Sequence, residues 1–246
     1  MLRDADVPGV WRSLGLPGLV DLHVHFMPRS VMDKVWAYFD AAGPLTGTPW
    51  PIAYRTEEAD RLARLRPIGV LAFPSRAYAH KPGMAAWLNA WAADFAAQQH
   101  DVLHTMTIYP EAGCLADTTA QLAAGAQLVK AHLQVGAYDP RDRLLDEVWG
   151  VLADAGVPVV IHCGSGPAPG PFTGPGPLGE VLAPPPRLTP VIAHPRLPSF
   201  SHFVDHPHRS PPVPLPLTVP SPAFLSQPRP FPTPSPRPPP APPPPV

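Results

Sequence analysis

The 246-residue sequence is poor in cysteine, in charge of one sign and in long apolar runs. Two cysteines, Cys114 and Cys163, are too few for a disulfide framework and favour a reducing, cytoplasmic setting. The formal net charge is -1, so the composition gives no reason to expect nucleic acid or an anionic membrane as a partner. No run approaches the ~20 apolar residues of a membrane span, and residues 1–10 lack the apolar core of a signal peptide.

Proline, in contrast, is abundant and unevenly placed. Of 42 prolines, 19 fall within residues 207–246. Proline lacks a backbone N–H and fixes φ, so this segment can form neither a helix nor a central strand. We expect residues 206–246 to be a tail that is disordered or adopts the polyproline II conformation.

Residues 1–205 show a different pattern, in which short apolar runs alternate with amphipathic stretches. The runs predicted as strands are 19–26, 69–73, 102–109, 127–134, 157–162 and 188–194. Alternation of strands with helices indicates βαβ units and a parallel sheet, either open and doubly wound or closed as a barrel. No Gly-x-Gly-x-x-Gly loop follows the first run, which disfavours a dinucleotide-binding sheet. Polar residues end several runs, as in barrel active sites. The sequence therefore predicts an α/β fold, a TIM-like (β/α)8 barrel with about six strands visible.

His23 and His25 are the strongest chemical signal. Residues i and i+2 of a strand point to the same side, so the two imidazoles can converge on one ion. The alternative is two unrelated histidines at a polar strand end, because this spacing is common.

Two further predicted strands also end in histidine, at His162 and His194. Taken singly, each is more typical of a hydrogen-bonded core histidine than of a metal ligand. Three strands that end this way together favour a metal site. Neutral imidazole suits zinc, iron, nickel and copper, and catalytic zinc needs three protein ligands and one open position.

Lys130 and His132 share one side of the fourth predicted strand. A lysine there could hold a substrate carboxylate or be carbamylated to bridge two metals, but a lysine that extends to solvent at the barrel rim is the preferred interpretation. Four polar residues follow the second strand and could bind an acidic substrate: Arg76, Tyr78, His80 and Lys81. Cys163 follows His162 and is interpreted as a small buried apolar residue.

The strand-end motifs, in order, resemble those of the amidohydrolase-related family of metal-dependent barrel enzymes. They are Gly-Leu-Val-Asp-Leu-His-Val-His (18–25), Val-Lys-Ala-His (129–132), Val-Val-Ile-His-Cys-Gly (159–164) and Val-Ile-Ala-His (191–194). The resemblance implies that His23, His25 and His162 hold a divalent metal, usually zinc. It implies that His194 binds a second metal or orients water or substrate, and that Lys130 bridges metals only in the binuclear branch.

One family residue has no counterpart. The eighth strand should end in a metal-binding aspartate that serves as general base, but Asp205, the one aspartate downstream of His194, comes too early. Pro195 also stands where the family usually has a small or flexible residue. We therefore expect a truncated or frameshifted reading frame, with impaired activity of the chain as written.

Two classes of function follow from these patterns. The first is an enzyme acting on a small molecule, either hydrolysing an amide, ester or lactone through a metal-activated water, or decarboxylating a carboxylic acid without oxidation. The second is an inactive remnant whose tail binds aromatic-lined grooves, since Pro-x-x-Pro spacings occur there, for example at Pro211 and Pro214. Hydrolysis is preferred as the commoner activity in the superfamily.

Overall fold

The computed structural model of the chain describes residues 3–46, 52, 55–164, 170–183 and 188–193. Its strands are β1 (Leu19–Val20), β2 (Val70–Pro74), β3 (Val102–Leu103), β4 (Thr105–Thr107), β5 (Leu128–His132), β6 (Pro158–His162) and β7 (Thr189–Ala193). Only His104 separates β3 from β4, so these two segments occupy one strand position. The six predicted apolar runs thus all contain strands.

Helices follow most of the strands. They are α1 (Val7–Ser13), α2 (Arg29–Asp40), α3 (Gly43–Thr46), α4 (Glu58–Leu65), α5 (Ala85–Gln98), α6 (Cys114–Ala123), α7 (Leu133–Gly136), α8 (Asp146–Asp154) and α9 (Pro175–Leu182). None of the helices in these ranges is long and apolar enough to cross a membrane.

All strand pairs that the structure describes are parallel, and their spatial order follows the chain. β1, β2 and β3 form one ladder, and β4, β5, β6 and β7 form the next. A doubly wound sheet reverses its strand order at a switch point, and no such reversal occurs among the described strands. Sequential parallel order is the arrangement of a (β/α)8 barrel, as the sequence predicts.

The two faces of the sheet differ in what they bury. We call the face that carries Val129, Ala131, Val159 and Ile161 the outer face; it packs on apolar residues of α8 in the main core. The alternate positions form the inner face. The inner face of β5, β6 and β7 contains a small apolar cluster of Leu128, Val160, Val191 and Ala193, and polar residues follow toward the C-terminal end of the strands.

The first strand is much shorter than predicted. β1 ends at Val20, because Oδ1 of Asp21 accepts a hydrogen bond from the backbone N–H of His23 (2.8 Å) and replaces regular pairing. The segment nevertheless stays beside β2, since Phe26 N–H donates to the carbonyl of Ser75 (2.8 Å). His23 and His25 therefore lie just beyond the strand end. Other predictions fall outside the described residues: the role of His194, the placement of Asp205 and the tail 206–246.

Candidate active site

His23 and His25 lie beside each other with their rings nearly perpendicular. The ring centroids are 5.4 Å apart and the planes make an angle of 80°. With Zn–N bonds of ~2.1 Å, two imidazoles on one tetrahedral ion have centroids roughly 5 Å apart. The spacing of this pair is therefore compatible with two ligand positions on one ion.

His132 and His162 lie opposite each other in the register of β5 and β6. Their rings stack, with centroids 4.0 Å apart and an interplanar angle of 14°. An imidazole binds a metal in its ring plane, so two stacked rings cannot both direct a nitrogen at one ion. At most one of the two can therefore join His23 and His25.

The hydrogen bond of His132 indicates which member of the stacked pair that is. Nδ1 of His132 accepts from the backbone N–H of Val135 (3.3 Å). Burial lowers the pKa of His132 well below its usual value, and His162 and Lys130 lower it further. The ring is therefore neutral with its proton on Nε2, which makes Nε2 a hydrogen-bond donor and leaves His162 as the better ligand candidate.

Tyr78 connects these two histidine pairs. Its ring lies 6.0 Å from the ring of His25 and 4.6 Å from that of His132, measured between centroids. The loop after β2 that carries Tyr78 is held over the sheet, since Ala79 N–H donates to Oγ1 of Thr107 (3.4 Å). Rings from the first strand end, this loop, β5 and β6 thus form a continuous row at one end of the sheet.

Lys130 lies on the inner face two residues before His132 and has no exposed surface. The interpretation of Lys130 as a rim lysine that extends to solvent is therefore wrong. No hydrogen bond to Nζ occurs within the part of the chain that the structure describes. Burial lowers the pKa of Lys130 well below its usual value, and the positive charge of Arg76 lowers it further.

Arg76 is the residue whose importance the sequence underestimated. The sequence indicated Arg76 only as one of four polar loop residues that could bind an acidic substrate, and two of these, His80 and Lys81, are exposed. Arg76 instead is fully buried, with a left-handed backbone (φ 53°) that non-glycine residues rarely adopt. Its Nη1 donates to the carbonyl of Leu22 (2.9 Å). Burial lowers the pKa of Arg76 to about 9, although nearby Asp21 acts in the opposite direction.

Metal binding by these residues is supported in donor chemistry but only in part by geometry. Among the described residues, no group of three His, Cys, Asp or Glu side chains is close enough to hold an ion. The pair His23 and His25 fits two positions, and His162 as third ligand stays a prediction. Cys163 lies in the outer-face core, where burial raises the pKa of its thiol to about 11. It is a small buried residue, as interpreted from the sequence.

A family model of amidohydrolases matches residues 20–242. The chain belongs to the amidohydrolase family. Superfamily members typically use a divalent metal ion, in keeping with the imidazole donors at the strand ends. The match includes most of the proline-rich segment, and the division of the chain at residues 205 and 206 stays a prediction.

Solved structures provide a second comparison. An uncharacterised TIM-barrel protein from Bordetella bronchiseptica is 19% identical, with a TM-score of 0.60 over 76% of this chain and 70% of that one. A 2,6-dihydroxybenzoate decarboxylase complexed with 2,6-dihydroxybenzoate is 18% identical, with a TM-score of 0.46 over 73% of this chain and 67% of that one. The first likeness confirms the barrel fold. Among curated proteins, no sequence matches this chain.

Proposed function

We propose that the chain is a metal-dependent hydrolase that cleaves an amide, ester or lactone bond of a small molecule. Family membership supports the class of enzyme. The observation that carries the proposal is the row of rings: His25, Tyr78, His132 and His162 come from four separate segments and meet at one end of the sheet. Packing alone does not require imidazoles on the inner face, where Leu128 and Val160 show that apolar residues fit.

In this proposal His23, His25 and His162 hold one divalent ion, and zinc is the metal that best suits three imidazole donors with an open position. When bound, such an ion lowers the pKa of a water molecule and polarises a carbonyl group. His194 orients the water or the substrate. Imidazole binds a metal only in its neutral form, so acidification should release the ion.

The remaining residues of the site bind and orient the substrate. Nε2–H of His132 donates a hydrogen bond to a substrate oxygen, because Nδ1 already accepts from Val135. The ring of Tyr78 covers His132 and limits the access of bulk water to that side. Lys130 supplies a further donor from the inner face. These side chains lie on or beside strands, which hold their positions more firmly than free loops do.

Nonoxidative decarboxylation of a small carboxylic acid is the second candidate. The observation that favours it is the pair of buried basic side chains, Arg76 and Lys130, which have donors without a partner among the described residues and suit an acidic substrate. Products separate the two reactions. Hydrolysis consumes water and either splits an amide or ester into two fragments or opens a lactone to a hydroxy acid, whereas decarboxylation releases carbon dioxide from a substrate that keeps its other bonds.

Metal analysis of the purified chain tests the proposal most directly. We expect about one equivalent of a divalent ion, and a loss of most of it in His25→Ala and in His162→Ala. His100 is exposed at the opposite end of the sheet, so His100→Ala is the matched control and should keep its metal. Activity on an ester, lactone and amide panel should fall by about 10²- to 10⁴-fold in the two site variants. Unchanged metal content in His25→Ala would contradict the assignment.

A further inference from the structure

The guanidinium of Arg76 is hydrogen-bonded through one nitrogen, and its other two nitrogens make no hydrogen bond within the described residues. Nη1 is engaged by the carbonyl of Leu22, whereas Nε and Nη2 are buried and make no hydrogen bond within the described residues. Nε and Nη2 are the two parallel donors along one edge of the guanidinium, and this edge matches the two oxygens of a carboxylate. The bond to Leu22 thus fixes the orientation in which the open edge is presented.

Lys130 is a second buried donor in the same part of the molecule. Its Nζ can donate three hydrogen bonds, yet it makes none with the residues that the structure describes. Thr107 holds the backbone of Lys130 in place, because Oγ1 of Thr107 donates to the Lys130 carbonyl (2.8 Å). The lysine therefore stands on a strand that is bonded on both sides, with a head group that has no described partner.

Contacts around the two residues place their side chains near each other. Arg76 precedes Tyr78 by two residues and Lys130 precedes His132 by two, and the rings of Tyr78 and His132 are in contact. The charge of Arg76 is close enough to lower the pKa of Lys130. The anchor at Leu22 also puts Arg76 next to His23, at the start of the ring row.

Two buried basic groups whose donors have no described partner lower the stability of the fold unless another group accepts their hydrogen bonds. A buried donor without a partner costs about 1–3 kcal/mol, more when it is charged, so each such group in a folded protein requires an explanation, and a functional role is one of them. Asp21 lies near Arg76 but its Oδ1 already accepts from His23. An anion with two coplanar oxygens would engage Nε and Nη2 of Arg76 and leave a lone pair for Nζ of Lys130.

We propose that Arg76 and Lys130 together bind the carboxylate group of the substrate. Arg76 donates hydrogen bonds to both oxygens, and Lys130 donates to one of them. The proposal rests on the proposed function in that it uses the same site, and it narrows the substrate to a carboxylic acid. For the hydrolase candidate, the bond to be cleaved would lie beyond this carboxylate, toward the row of rings. For the decarboxylase candidate, the bound carboxylate is either the group that is lost or one of two carboxylates on the substrate.

Binding of simple acids and their amides tests this assignment without turnover. The probes are acetate, pyruvate and benzoate, each paired with its uncharged amide, titrated by calorimetry at constant ionic strength. We expect at least one acid to bind at least about 10-fold more tightly than its amide. The titrations are run after metal removal by EDTA and again after loading with zinc, and the preference for the acid should persist in both states.

Two variants and two controls connect the binding to the named residues. Arg76→Lys keeps the charge but removes the two-donor edge, and Lys130→Met keeps the volume but removes the donor. Each should weaken acid binding by about 10-fold or more and leave amide binding unchanged. Arg64→Lys and Lys81→Met alter exposed residues and should bind as the parent does. Thermal unfolding of every variant shows whether a loss of binding reflects a loss of fold.

Several results would overturn the proposal. Equal binding of acids and amides, or no acid binding below about 10 mM, would mean that Arg76 and Lys130 do not select a carboxylate. Acid binding that needs zinc and survives in folded Arg76→Lys would place the carboxylate on the metal instead. If inorganic phosphate binds as tightly as the best acid, Arg76 and Lys130 form a general oxyanion site that is not specific for carboxylates. A protein that selects acids but binds no divalent metal would refute the proposed function and leave this inference standing.

Discussion

Ile161 and His162 are neighbours in the chain but lie on opposite faces of β6, and the two faces meet different physical demands. Ile161 belongs to the outer face, which buries apolar side chains against α8. His162 lies on the inner face and stacks on His132 of β5. The same alternation divides β5, where Val129 and Ala131 pack in the core.

The inner face also changes along each strand. On β5 the apolar Leu128 is followed by Lys130, which lies opposite Val160, and then by His132, which lies opposite His162, so that the polar groups lie toward the C-terminal end. In a parallel barrel the C-terminal end is where loops supply substrate contacts. Stability therefore depends mainly on the outer face, and the C-terminal part of the inner face holds groups that cost stability and suit a ligand.

The largest effect on stability is expected from Ile161→Ala. Ile161 is fully buried in the outer-face core, so its truncation removes transfer energy and leaves a cavity, at a cost of about 2–5 kcal/mol. Urea unfolding measures the free energy. Metal content and acid binding should stay at the parent level in the folded variant. A loss of metal comparable to that of His162→Ala would show that the two faces are not independent.

Lys130→Met should act in the opposite direction and raise the free energy of unfolding. Replacing a buried ionisable group by an apolar one of similar volume is often neutral or stabilising by about 1–4 kcal/mol. Because the pKa of Lys130 is lowered in the folded state, the unfolded chain binds more protons at pH values between the folded and the unfolded pKa. The stability of the parent should therefore rise with pH through this group up to the unfolded pKa of ~10.4.

The advantage of Lys130→Met over the parent should accordingly be largest at neutral pH and shrink as the pH approaches 10. Urea unfolding at three pH values between 7 and 10 measures this difference. Lys81→Met, at an exposed position, should show no such dependence. A Lys130→Met variant less stable than the parent would mean that the lysine has a partner that supports the fold.

Sequence patterns predicted the fold and part of the site. Apolar runs located all six strand positions, because buried parallel strands are continuously apolar. Helix α9 is not evident from the sequence, since Pro175, Gly176 and Pro177 at its start resemble a loop. The extent of the first strand was overestimated, because the bond from His23 N–H to Asp21 that ends regular pairing leaves no trace in the apolar pattern.

For the site, alternation along strands was enough to group His23 with His25 and Lys130 with His132. Contacts between residues far apart in the chain could not be predicted from the sequence. The approach of Tyr78 to His132 and the burial of Arg76 depend on how the loop after β2 lies over β4. A signal for His132 was present, since its spacing from Lys130 equals that of the first histidine pair. Arg76 was named only among four polar loop residues, because nothing in the sequence indicates that it is buried.

Gly69→Ala extends the comparison from the faces to the ends of the sheet. Gly69 has a φ of 88° and contacts Trp11, and an added Cβ would lie 2.6 Å from the indole ring. Trp11 in turn donates from Nε1 to the carbonyl of Ile68 (3.0 Å). The left-handed backbone alone costs a non-glycine residue about 1–2 kcal/mol. Thermal unfolding should show this loss, while acid binding at the far end of the strands stays unchanged.

The smallest effect is expected from Asp101→Asn, also remote from the row of rings. Arg66 donates to both carboxylate oxygens of Asp101, from Nε (2.8 Å) and Nη2 (3.1 Å). These hydrogen bonds lower the pKa of Asp101, against the opposing effect of its burial. The pair therefore stabilises the fold above the unfolded pKa of ~3.9, and this contribution is lost as the pH falls through the folded pKa. Because Arg66 is partly exposed, solvent screens the interaction and keeps the effect small.

Urea unfolding should show Asp101→Asn as less stable than the parent at pH 7, with the difference in unfolding free energy closing below pH ~4. Asp94→Asn, at an exposed position on α5, provides the control and should follow the parent throughout. A gap for Asp101→Asn that persists unchanged at low pH would assign the loss to packing of the buried side chain rather than to its charge.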